Sequence, residues 1–151
     1  MRATAHQRAD YAHFHSITTR WLDNDAYGHV NNVVYYNWFD TIVNELLIAG
    51  GALDIVHSPV IALVIESACT YFAPVAFPDK ITAALRVAAL GSSSIRYEVA
   101  IFCNDDDRAA AQGHMVHVCV DRDSRVATPI PAAMRTLLQP LQLPSLSTSQ
   151  P

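Results

Sequence analysis

The chain has 151 residues, 51% of them hydrophobic and 16% charged. That is enough for one domain with a sizeable core, and it exceeds the apolar share of about 45–50% usual in soluble chains, which places part of the surplus at a subunit interface. A formal net charge of −4, a pI near 5.9 and a single lysine, Lys80, exclude general nucleic-acid binding. No apolar run approaches the roughly 20 residues of a membrane span.

The opening carries Arg2 and Arg8 but no apolar stretch behind them, so it does not read as a secretory signal and a cytoplasmic location is expected. Cys69, Cys103 and Cys119 are odd in number and lack CxxC spacing, which reads as buried reduced thiols. Residues 1–12 and the Pro/Ser-rich residues 143–151 are expected to be flexible, leaving residues 13–142 as a single domain. Within it, a short strand from His15 to Trp21 leads into a polar loop from Asp23 to Asn31. An apolar segment follows, Asn32 to Ala49, and Gly50-Gly51 suits a helix C-terminus because glycine tolerates positive φ. In that segment Asn37, Asp40, Thr41, Asn44 and Glu45 form one narrow polar stripe. Apolar side chains cover the rest, which predicts a largely enclosed helix.

Four strand-like runs come next: Val60 to Ala73, Lys80 to Leu90, Ser94 to Cys103, and Ala109 to Asp121. The third alternates, with Ile95, Tyr97, Val99, Ile101 and Cys103 on one face and Ser94, Arg96 and Glu98 on the other. Gly91-Ser92-Ser93 and residues 104–107 read as hairpin turns. A short helix from about Pro131 to Gln139 closes the domain. Antiparallel strands joined by short turns, after one helix and without helical crossovers, predict an α+β fold: an antiparallel sheet of about five strands curled around one long central helix.

The chemistry-bearing stretch is Asp23-Asn24-Asp25-Ala26-Tyr27-Gly28-His29-Val30-Asn31-Asn32, running directly into the helix. Hydrolysis of an activated carbonyl needs a group that attacks it or activates water, and donors for the developing oxyanion. A carboxylate in a loop entering a helix N-terminus supplies both, because the first amides there lack intrahelical acceptors. Each residue also has a structural reading. Asp25 could cap a turn, Asp23 could shape the loop, His29 could make a structural hydrogen bond, and Asn31 and Asn32 are natural helix-start residues.

This stretch resembles the signature of the 4-hydroxybenzoyl-CoA thioesterase family of hotdog proteins. Its His-Val-Asn-Asn form is similar to the branch with bacterial acyl-CoA and plant acyl-ACP thioesterases. Tyr71-Phe72-Ala73-Pro74-Val75 and Phe77-Pro78-Asp79 supply a second match. The resemblance implies hydrolysis of an acyl-CoA or acyl-pantetheine thioester, with Asp25 as nucleophile or general base. It implies a first-turn amide near Asn32 as the carbonyl-polarising donor, and His29 as an orienting group. Tyr35, Tyr36, Phe39 and Tyr71 are the aromatic candidates for lining the substrate tunnel. A homodimer or homotetramer with sites between subunits is implied, and coenzyme A is expected only as part of the substrate, with no cofactor.

Other readings are a hotdog hydratase or dehydratase, whose histidine motif is not found here, and a non-catalytic acyl-thioester-binding protein. No metal is expected. His114 and His117 are three apart in a strand and face opposite sides, and His13 and His15 share a face but lack a third ligand.

Overall fold

A computed structural model describes residues 2–143. The expected tail, residues 143–151, lies outside the described residues except for Leu143.

The helix α1 runs Asn32–Ala49, as its apolar spacing predicts. Asn31 caps it: the side-chain oxygen accepts from the Val33 N–H at 3.0 Å, which satisfies one of the orphan donors of the first turn. At the other end the Gly50 N–H donates to the Leu46 carbonyl at 2.9 Å. The positive φ falls one residue later, on Gly51 at 72°. Tyr35, Trp38, Phe39, Ile42, Val43, Leu46 and Leu47 are buried at helical spacing. α1 has 18 residues, about 27 Å, and one side remains open: Asn37, Asp40 and Thr41 are exposed, as are Val33 and Ile48.

Five strands form one antiparallel sheet: β1 (His13–Thr18), β2 (Val60–Tyr71), β3 (Lys80–Leu90), β4 (Ser94–Cys103) and β5 (Ala111–Asp121). Their order is β1-β3-β4-β5-β2. β3 and β4 have the bounds read from sequence; the others end where backbone partners change. β1 stops at Thr18 because Trp21–Asp23 forms a 3-10 turn closed by the Asp23 N–H on the Arg20 carbonyl. β2 stops at Tyr71 because the Phe72 and Ala73 N–H groups both turn onto the Ala110 carbonyl. A short helix α2 (Ala132–Leu138) buries Met134 and Leu138 against the main core.

The main core lies between α1 and the inner face of the sheet, where Ile95, Tyr97, Val99 and Ile101 of β4 are fully buried. From Ala100 onward β4 is buried on both faces. The covering element is the N-terminal segment, and here the expected flexible opening differs from what is found. Gln7 bridges to Arg108, and Tyr11 joins Ala84, Ala100, Phe102 and Ala109 in a second apolar cluster on the outer face. The Arg8 guanidinium lies 4.9 Å from the Phe102 ring centre, and that of Arg86 5.0 Å from the Tyr11 ring centre. Tyr11 supplies the apolar contact that composition at the terminus did not advertise, and the cation–π pairs fix it there.

β2 lies at the sheet edge, and Leu63, Val64 and Ile65 are 39%, 46% and 65% exposed.

Candidate active site

Residues 24–30 form a small closed loop that delivers the chain into α1. Asn24 and Val30 bridge as an antiparallel pair. Inside the loop the Asp25 N–H donates to the His29 carbonyl at 2.8 Å, and the Gly28 N–H to the Asp25 carbonyl at 3.1 Å. Gly28 turns the chain at φ 80°, a conformation glycine adopts without steric cost. The loop is tied to the segment after β2: the Val30 N–H donates to the Val75 carbonyl at 2.7 Å, and the Phe77 N–H to the Asn24 side-chain oxygen at 3.0 Å.

Two aspartates two residues apart have opposite surroundings. Asp23 is 1% exposed. Its carboxylate accepts from the Arg20 N–H at 2.7 Å and from the Arg20 Nε and Nη2 at 3.0 and 2.9 Å. Its carbonyl accepts from the Asn31 N–H at 2.9 Å. Asp23 therefore holds the loop together. Asp25 is only half-buried, and among the described residues its carboxylate accepts one bond, from the Tyr27 N–H to Oδ1 at 2.8 Å. Its second oxygen is left for another partner.

That carboxylate opens into a cleft of about 590 Å³ lined by Asp25, His29, Asn32, Tyr35 and Tyr71, together with Tyr27, Val30 and residues 72–74. The Tyr71 hydroxyl donates to the Asn32 carbonyl at 2.9 Å, which anchors the end of β2 to the first residue of α1. Tyr35 meets the Tyr71 ring edge-on at 5.0 Å. Burial pushes the Tyr35 hydroxyl up to about 12, and burial likewise raises Tyr71, so both remain protonated at neutral pH. In the first turn of α1 the Val33 N–H is taken by the Asn31 side chain and the Val34 N–H by the Asn31 carbonyl. The Asn32 N–H has no acceptor among the described residues. A carboxylate with a free oxygen and an unspent helix-start amide thus border one cleft, the two requirements for attack on a carbonyl and stabilisation of its oxyanion.

Other sequence-stretch candidates fall elsewhere. Phe39 is fully buried in the core, over Gly113, where any side chain would strike the Ala68 carbonyl and the Phe39 ring; it does not line the cleft. Tyr36 is half-buried, with its ring centre 6.0 Å from that of Phe39, and is also absent from the cleft wall. Phe39 lies seven residues, about 10 Å, further along the helix than Asn32. The His29 ring lines the cleft but makes no hydrogen bond to Asp25 among the described residues. Sequence reasoning did not assign Tyr27, Val30, Phe72, Ala73 and Pro74 to the wall. The signal for the last three was the Tyr71-to-Pro74 segment.

Cys103 and Cys119 are buried and Cys69 is half-buried, all as free thiols. His13 and His15 do face one side, where Glu45 lies 3.0 Å from His13 Nε2 and 3.7 Å from His15 Nδ1. Among the described residues no group of three or more His, Cys, Asp or Glu is arranged to hold a metal ion. No helix among them is long and apolar enough to cross a membrane.

Residues 19–138 match the model of the thioesterase-like superfamily. A Pseudomonas aeruginosa protein of known crystal structure is 53% identical, with a TM-score of 0.90 over 91% of this chain and 96% of that one. A second P. aeruginosa protein, named a candidate thioesterase, is 30% identical, with a TM-score of 0.77 over 82% of this chain and 95% of that one. A 1,4-dihydroxy-2-naphthoyl-CoA thioesterase from Synechocystis is 17% identical, with a TM-score of 0.76 over 85% of this chain and 96% of that one, a likeness of fold. No curated protein gives a significant sequence match.

Proposed function

The chain belongs to the thioesterase-like superfamily, and we propose that it hydrolyses an acyl-CoA or a similar acyl-pantetheine thioester at the cleft bordered by Asp25 and the start of α1. The observation that carries this reading is the pairing of the half-free Asp25 carboxylate with the unspent Asn32 amide. The thioester carbonyl oxygen sits at that amide, and the positive end of α1 stabilises the charge that develops on it. Asp25 either takes a proton from an attacking water or attacks the carbonyl itself. The tetrahedral oxyanion collapses, the carbon–sulfur bond breaks and the thiolate leaves; where Asp25 itself attacks, water then hydrolyses the acyl anhydride, releasing the acid and restoring the carboxylate. Because a thiolate is a good leaving group, no strong general acid is required. Tyr71 positions the amide through its bond to the Asn32 carbonyl.

Purified protein incubated with a panel of acyl-CoAs and a thiol reagent releases free thiol on this reading. Absorbance change at the acyl group without thiol release would instead mark a hydratase, and tight binding without either would mark a binding protein.

The working unit on this reading is a homodimer, or a homotetramer built from it. The unpaired edge of β2, with Leu63, Val64 and Ile65 exposed, supports a second copy there, since an open apolar edge strand is a template for another strand. Sedimentation equilibrium at micromolar concentration should give a multiple of the 16.6 kDa chain mass. A clean monomer would remove the dimer from the proposal.

A further inference from the structure

At the far end of α1 from the cleft lies a second cavity, about 350 Å³, whose wall is mostly apolar: Leu47 of α1, Leu53, Ile61 of β2 and Met134 of α2. It shares no lining residue with the cleft. Tyr35 and Leu47 are twelve residues apart in one helix, which separates the two by about 18 Å. Ile48 and Ile55 also border the cavity and are exposed to solvent, which gives its mouth an apolar rim. His117 lies in the wall, but both ring nitrogens are buried and closed to a ligand. One charge stands on this wall, the Arg122 guanidinium. Its Nε donates to the Ser58 carbonyl at 2.6 Å and its Nη2 to the Ile55 carbonyl at 2.8 Å. Those bonds hold the plane of the group in place and supply no counter-charge. Among the described residues Nη1 has no hydrogen-bond partner, and no carboxylate pairs with Arg122. Asp54, in the same loop, is engaged elsewhere: its carboxylate accepts from the His57 and Val56 N–H groups and meets His57 Nδ1 at 3.2 Å. Those hydrogen bonds lower its pKa, and the Arg122 charge is the smallest contribution.

We propose that this cavity binds an alkyl carboxylate, a small fatty acid whose tail fills the apolar wall and whose head pairs with Arg122. The binding stands apart from the thioesterase reading and does not depend on it. The wall selects an alkyl tail, which gains by leaving water. A guanidinium fixed in place and lacking a counter-ion selects the head, because a charge-assisted bond to a carboxylate is stronger than one to a neutral group. An alcohol of the same length fills the wall equally well and leaves the Arg122 charge unpaired, and a cationic amphiphile is repelled by it. The negative end of the α1 dipole opposes an anion here, but the last carbonyls of the helix are not bare. Those of Leu46, Leu47 and Ile48 accept from the N–H groups of Gly50, of Ala52 and Leu53, and of Gly51. The other polar side chain at the wall, Asn44, donates its amide to the Asp40 carbonyl at 2.8 Å. Arg122 is therefore the group that decides the head.

The test uses the full chain with its methionine methyl groups labelled, followed by NMR at pH 7.5 during titration with octanoate and, separately, 1-octanol. The chain has three methionines, so Met134→Leu identifies the signal from the cavity wall. The expected result is a saturable shift of the Met134 methyl with octanoate, below the concentration at which it forms micelles. The alcohol should bind roughly tenfold more weakly, the worth of a hydrogen bond to a charged group. Arg122→Gln keeps donors for the loop carbonyls but removes the charge; it should weaken octanoate by about the same factor and leave 1-octanol within about twofold. Three results would each overturn the proposal: a Met134 methyl unmoved by octanoate, an alcohol that binds as tightly as the acid, or a Met134 signal that follows protein concentration and not octanoate, which would mark a contact between copies of the chain. The wild-type titrations decide the matter even if Arg122→Gln fails to fold.

Discussion

The two ends of α1 differ in how they treat polar groups. At the N-terminal end every polar group is either consumed or open to solvent: Asp23 is saturated by Arg20, the Asn31 cap takes the Val33 N–H, and Asp25 faces the cleft with an oxygen to spare. At the C-terminal end the surroundings are mostly apolar, and the polar atoms of His117 are buried without partners. The helix itself imposes part of this difference, since its start supplies unsatisfied donors and a positive dipole end, whereas its last turn directs carbonyls outward. One helix thus presents a polar end at the cleft and a mostly apolar end at the second cavity.

The strongest way to break that contrast is Asp25→Asn. It preserves shape and the acceptor for the Tyr27 N–H but removes the ionised carboxylate. Thioester kcat/KM should fall about 10²–10⁴-fold, the usual worth of a positioned acid–base group, with thermal melting nearly unchanged. Near-native turnover would make Asp25 a loop residue like its neighbour.

At the other end the lever is pH. His117 titrates at about 4 in the folded chain and near 6.5 when unfolded. Between those values the unfolded chain binds more protons. The contribution of His117 is therefore complete above pH 6.5 and is lost as pH falls towards 4, by about 3 kcal/mol. Urea unfolding of wild type and His117→Phe across pH 4–7.5 should diverge by that order as acid is added, wild type losing more. Parallel curves would mean that the ring is solvated after all.

The smallest effect sharpens the contrast within the N-terminal end. Asp23→Asn keeps an acceptor but weakens charge-assisted bonds to Arg20, which should cost about 1.5–3 kcal/mol of stability. kcat/KM per folded molecule should stay within a few-fold of wild type. A collapse of activity at unchanged stability would assign Asp23 to the chemistry instead.

Much of this was legible in the chain itself. The bounds of α1 were visible because the Asn31 cap, the apolar spacing and Gly50-Gly51 agree, and β3 and β4 because alternation and turn residues agree. Asp25, His29 and Asn32 were nominated from a contiguous motif, and Tyr35 and Tyr71 for being aromatic; these five border one cleft. Phe39 and Tyr36 were nominated for being aromatic, and aromatic rings serve cores and ligand walls alike. Phe39 packs over Gly113 in the core instead. The His117 cavity was illegible for a related reason. A histidine in a strand shows its face from parity, but whether a partner reaches it depends on loop residues 52–57 and α2, which lie far away in sequence. The packed N-terminus depended on a single tyrosine finding a groove built by β3, β4 and the segment before β5.

That packed N-terminus also sets an order of events during folding. Arg8 donates to the carbonyls of Asp106 and Asn104, and Tyr11 rests on Phe102 and Ala109, so its contacts span nearly 100 residues of chain. Closing loops of that length carries an entropic cost that local hairpins avoid. On the ribosome Arg8 and Tyr11 emerge before β3 and β4, and have nothing to dock on until the turn after β4 has been made. The β3–β4 hairpin can form meanwhile, with Phe102 and Ala100 uncovered on its outer face. The last long-range step on that face is then the docking of residues 7–11, and until it occurs the nascent domain carries an apolar patch that a chaperone can recognise.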